Sequence, residues 1–131
     1  MNIEIGRSKS GLPTLTESGG GATNTGDSQI IAGPQGERLK PLFVPRGYAN
    51  GDHAIFVLRP GMHVVQAQHS RDGECTIVYR VTAILADAAE VKKVYEWENG
   101  DGNIPEFLND AVAAAKQKAH CYHCRDAHYV L

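Results

Sequence analysis

The pattern of apolar and polar positions is clearest after residue 42. His53 to Leu58 is a near-continuous apolar run, as expected for a short strand covered on both faces. Arg59-Pro60-Gly61 closes it as a turn. Met62 to His69 and Glu74 to Leu85 then flank Ser70-Arg71-Asp72-Gly73, and the pair reads as a β-hairpin.

Alternation also predicts a register. Cys75, Ile77, Tyr79, Val81, Ala83 and Leu85 share one face of the second strand, and Val65 and Ala67 share one face of the first. A three-residue loop, Arg71-Asp72-Gly73, sets Ala67 against Ile77 and Val65 against Tyr79, apolar on apolar. It gives Gly73 the left-handed position common in such loops. A two- or four-residue loop sets Ala67 against Thr76 and mixes the faces. The three-residue loop therefore places His69 directly across from Cys75.

Glu90 to Glu98 alternates through Tyr95 and Trp97 and predicts a further strand. A helix is predicted from about Pro105 to about Lys118. Asn103 suits its cap, Pro105 its first turn, and Glu106 stands three residues after the cap. Phe107, Leu108, Ala111, Val112 and Ala115 form its apolar stripe, with acidic residues early and Lys116 and Lys118 late. The expected fold is α+β: a mostly antiparallel β-sheet with one C-terminal helix packed on it and a Gly-rich N-terminal arm.

Composition separates that arm from the rest. All nine aromatic residues follow residue 42, whereas the first 36 residues hold eight of the fourteen glycines. Thr14 to Ser28 is mostly Gly, Ser, Thr, Asn and Asp, too polar to offset its own ordering entropy. Residues 1–131 read as one domain, with 1–36 as an arm or extended leader and 37–131 as the packed core. Within the arm, Asn2 to Ile5 and Gln29 to Ala32 have the character of edge strands.

Charge and cysteine usage exclude some classes. Thirteen Lys and Arg against fifteen Asp and Glu leave a net charge of −2, which disfavours a polyanion-binding protein such as a nucleic-acid binder. No apolar run approaches the ~18 residues of a membrane span, and Met1 to Ser10 lacks a signal-peptide core. Three cysteines cannot all pair, which argues against a secreted disulfide scaffold and for the cytoplasm.

The chemistry that the sequence offers lies at its end. Two of the three cysteines and three of the six histidines fall in the last twelve residues. Cys121-x-x-Cys124 has the spacing of a zinc knuckle, in which two thiolates grip one ion from a tight turn. Tetrahedral zinc needs two further ligands. The candidates are His128 and the hairpin residues Cys75 and His69: a zinc held by Cys121, Cys124, Cys75 and either His69 or His128 staples the chain end to the hairpin. His63 cannot join His69 on one ion, because six extended residues span about 20 Å.

Other uses of these residues fit less well. A redox dithiol belongs at a helix N-terminus, and Cys121 and Cys124 follow a C-terminus. A Cys75–His69 nucleophile pair has no adjacent oxyanion hole in the pattern. Gly21 to Ser28 resembles a phosphate loop only until Asp27 takes the place of the lysine. The zinc-deaminase pattern lacks its glutamate after His53 and its proline before Cys121. Asn99, Asp101 and Asn103 approach a calcium loop that has Ile104 where glycine is required. The functional expectation is a binding or interaction module for a protein or small-molecule partner, with homo-oligomers allowed. A small metal- or thiol-dependent enzyme is the alternative.

Overall fold

The computed structural model describes residues 2–18, 26–44, 54–70, 73–98 and 104–119. Among these residues, eight strands are followed by a helix: β1 (Asn2–Glu4), β2 (Gly6–Arg7), β3 (Pro13–Glu17), β4 (Gly26–Ala32), β5 (Ala54–Val57), β6 (His63–Ser70), β7 (Gly73–Ile84), β8 (Ala88–Glu98) and α1 (Asn109–Ala119). They form a five-stranded sheet ordered β1-β8-β7-β6-β4 and a three-stranded sheet ordered β2-β3-β5. Every pairing is antiparallel. The α+β expectation of a mostly antiparallel sheet with one C-terminal helix therefore holds.

The five-stranded sheet is the middle layer. Against one face pack α1 and its lead-in turn, burying Ile30, Ala32, Val65, Ala67 and Val78 under Leu108, Ala111, Val112 and Ala115. Against the other packs the small sheet, burying Ile31, Val64, Tyr79 and Val81 under Leu15, Phe56 and Leu58. Two corners join the sheets. The chain passes from β1 to β2 through Ile5, and Ser18 bridges to Gln29 of β4.

The described parts of 1–36 are built into these layers. Leu15, Ile30, Ile31 and Ala32 are all buried, so β3 and β4 supply both cores. Residues 19–25, the most glycine-rich part, lie outside the described residues.

The hairpin register differs from the predicted one. Ser70 pairs with Gly73, so the loop has two residues, and Ala67 faces Thr76 while Val65 faces Val78. The prediction assumed one wet face, but both faces of β7 are covered. Thr76 is only 2% exposed on the supposed polar side. The β6–β7 pairing therefore gains from burial on either side, and the matching of apolar faces no longer decides it.

The helix also begins later than predicted. Pro105 leads a 3-10 turn, Glu106–Leu108, closed by the Leu108 N–H on the Pro105 carbonyl at 2.9 Å. The α-helix starts at Asn109, and Asn103 lies outside the described residues. The Phe107 and His63 rings meet edge to face with centroids 5.6 Å apart. At the other end, the Ser28 hydroxyl donates to the Ala115 carbonyl at 2.5 Å. Since Ser28 lies opposite Ala67, α1 runs along its sheet face from the His63 end toward the hairpin end.

Candidate functional site

The loop after β4 turns back at once. The Gly36 N–H donates to the Gly33 carbonyl at 3.0 Å, and Gly36 has φ +76°, a conformation that favours glycine. A side chain there would also strike the Phe107 carbonyl. This turn holds Pro34 outward, next to Pro60 of the turn between β5 and β6. The two prolines form a shared wall between two concavities.

The first concavity measures about 450 Å³. Leu39, Pro41, Leu42, Phe56, Val57 and Met62 make its apolar surface, and Lys40 and Arg59 its basic one. The second, about 410 Å³, is lined by His63, Arg80, Val81, Thr82 and Phe107. His63 is 4% exposed, and its Nδ1 lies 2.9 Å from the Gly33 carbonyl, so Nδ1 carries the proton. No carboxylate lines either concavity among the described residues. In a chain with more acidic than basic residues, that is a local reversal of charge.

Glu17 forms a second polar centre, but one turned inward. Its carboxylate accepts from Nη1 and Nη2 of Arg38, at 3.0 and 3.3 Å. It also accepts from Lys118 Nζ at 3.1 Å and the Ile31 N–H at 3.2 Å. These contacts tie β3, β4, the following loop and α1 to one buried group. The arrangement is a staple between layers.

The residues predicted from sequence do not converge as expected. Cys75 lies opposite Gln68, and His69 lies opposite Glu74 with its Nδ1 3.5 Å from the Glu74 carboxylate. Neighbours along a strand point to opposite faces, so His69 is on the helix side and Cys75 on the other. The expectation that they face each other is thereby corrected, and with it the Cys75–His69 nucleophile pair. Burial pushes the Cys75 thiol above its ordinary range, aided by Glu98 and Glu96 and opposed by Lys93. Such a thiol is a poor nucleophile at neutral pH. Cys121, Cys124 and His128 lie outside the described residues. Among the described residues no group of three or more His, Cys, Asp or Glu side chains could hold a metal.

The cleft escaped the sequence reading because its residues come from six separate segments: the loop after β4, β5, the turn that follows it, β6, β7 and the lead-in turn of α1. The one available signal was the pairing of base with proline, Lys40-Pro41 and Arg59-Pro60, at turns.

No family model matches the chain, and no curated protein is similar enough in sequence to count as a relative. Two solved structures share its fold. ORF157-E86A of Acidianus filamentous virus 1 superposes with a TM-score of 0.57 at 15% identity, covering 82% of this chain and 80% of that one. An engineered protein, Northeast Structural Genomics Consortium Target OR43, gives a TM-score of 0.56 at 13% identity, covering 91% of this chain and 81% of that one. At these identities the likeness is one of fold alone. No helix among the described residues is long and apolar enough to cross a membrane.

Proposed function

We propose that this protein is a binding module whose recognition surface is the proline-walled cleft, and that its partner is anionic and partly apolar. One observation carries the reading: among the described residues, Lys40, Arg59, Arg80 and His63 line the cleft together with apolar surface and without a carboxylate. Concave, mostly apolar sites with a few convergent polar groups are where ligands bind. The test is titration of the isotope-labelled protein with octanoate and with octylammonium, followed by amide chemical shifts. Octanoate is expected to move the amides of Leu39, Lys40, Leu42 and Arg59, and octylammonium to leave them in place. Equal responses, or none, would refute the reading.

A second reading keeps the zinc staple, with Cys121, Cys124 and His128 as ligands from the tail. Its support is that α1 runs toward the hairpin end on the face that carries His69. At 1.5 Å per residue, Ala119 stands about 6 Å beyond Ala115 in that direction. In this reading His69, on the face that α1 covers, is the hairpin ligand, and Glu74, 3.5 Å from its Nδ1, orients the ring. Cys75, on the opposite face, is then the weaker candidate. Elemental analysis of protein purified without added metal decides it: about one zinc per chain, lost in Cys121→Ser, is expected, and metal-free protein refutes it.

A further inference from the structure

Val57 ends β5 on the outer edge of the small sheet. The Leu58 N–H donates to the Pro13 carbonyl at 2.9 Å, so Leu58, Phe56 and Ala54 direct their backbone groups toward β3. By the same alternation Ile55 and Val57 direct theirs to the outer side. There Ile55 is satisfied: its N–H donates to the Phe43 carbonyl at 2.8 Å. Its carbonyl accepts from Leu42 at 2.6 Å and from Phe43 at 3.3 Å. Two donors on one carbonyl are the mark of a bulge. The residue before them is Pro41, which has no N–H with which to carry the ladder on.

Among the described residues no backbone hydrogen bond continues this ladder to Val57. What lies beside Val57 instead is the concavity of about 450 Å³, with Leu39, Leu42, Phe56 and Met62 as apolar walls. Lys40 and Arg59, both exposed, supply its positive charge. A sheet-edge donor and acceptor, an apolar pocket and two cations stand together in one place.

We propose that this concavity takes a short extended peptide, whose backbone adds to Val57, whose apolar side chain fills the pocket and whose carboxylate meets Lys40 and Arg59. Peptides that lengthen an exposed sheet edge gain affinity from main-chain hydrogen bonds and selectivity from side-chain pockets. This rests on the cleft reading above and specifies the partner as a peptide. The carboxylate belongs either to the peptide's C-terminus or to an Asp or Glu side chain, which present the same planar anion. A small organic anion would use the pocket and the cations but not the backbone of Val57.

The experiment uses the labelled full chain and a pool of N-acetylated pentapeptides. These carry a fixed Glu followed by two positions varied over Val, Leu, Ile and Phe. Octanoate is the comparison, and a C-terminally amidated pool separates the two sources of carboxylate. The pool is expected to shift the Val57 amide as a new hydrogen bond does, and to contain peptides at least about tenfold tighter than octanoate. Lys40→Glu and Arg59→Glu should each weaken that binding by about tenfold with an unchanged circular dichroism spectrum. Loss on amidation assigns the carboxylate to the C-terminus and retention assigns it to the side chain, each in keeping with the proposal. Octanoate moving the cleft while every peptide leaves the Val57 amide in place would overturn the peptide assignment alone. Silence from all probes would overturn it together with the cleft reading.

Discussion

Glu17 is the residue on which most polar contacts converge, and nothing in its sequence context announced it. It stands in a Thr- and Ser-rich stretch that composition reads as solvated, yet it is 3% exposed. Burial is acceptable because two cations and a backbone N–H reach its carboxylate. Truncation would leave Arg38 and Lys118 unpaired, the first at 45% and the second at 27% side-chain exposure, so water recovers part of the loss. Glu17→Ala is expected to lower stability by about 2–4 kcal/mol in urea unfolding, and Glu17→Gln by less. Cys75 offers a second test at this scale. With Cys121 and Cys124 replaced by Ser, iodoacetamide should modify Cys75 more slowly at pH 7.5 than it modifies an unstructured cysteine peptide. The folded pKa lies above the unfolded one, so the folded state holds this proton more tightly. That contribution to stability is fully present below the unfolded pKa of about 8.5 and is lost as pH rises through the folded value. Unfolding curves of the same variant between pH 7 and 10 should show the decline, and Cys75→Ala should remove it.

At the level of elements, local pattern was readable wherever it had one interpretation. The runs His53–Leu58, Met62–His69, Glu74–Leu85 and Glu90–Glu98 correspond to β5 to β8, and the Ala-rich stripe to α1. Register was not readable, because a sheet covered on both faces offers no wet side against which to set it. Thr76 and Cys75 exchanged their expected environments for that reason: the hydroxyl is buried under the helix layer and the thiol lies on the side shared with Gln68. The cleft was illegible for a different reason, since Pro34, Lys40, Arg59 and Arg80 meet only after the strands have paired. The register itself can be tested by cross-linking. Directly opposed residues bring their Cα atoms within the ~4.4–6.8 Å that a disulfide requires. Gln68→Cys should therefore oxidise readily onto Cys75 in the background lacking Cys121 and Cys124, as read by non-reducing electrophoresis. His69→Cys, whose side chain points to the other face, should not; the reverse result would restore the three-residue loop.

In the molecule as a whole, one sheet carries two cores, and adjacent residues of β4 serve different ones. Ile30 is wholly buried under α1, while Ile31, 1% exposed, is buried under the small sheet. Their side chains diverge to opposite faces and share no packing partner within either core. Ile31 and Val64, by contrast, come from different strands but are directly opposed and pack in the same core. Coupling between mutations follows shared packing and not distance along the chain. Ile30→Val and Ile31→Val should each cost about 0.5–1.5 kcal/mol, and the double variant should lose their sum to within about 0.5 kcal/mol. Ile31→Val with Val64→Ala should depart from additivity by about 0.5 kcal/mol or more, because the first cavity changes how far the second can collapse. Both sets should keep a single unfolding transition in fluorescence and circular dichroism, since the shared middle sheet cannot lose one core and keep the other. Two separated transitions, or strong coupling between residues 30 and 31, would mean that the helix layer and the small sheet do not stand on opposite faces of the same strands.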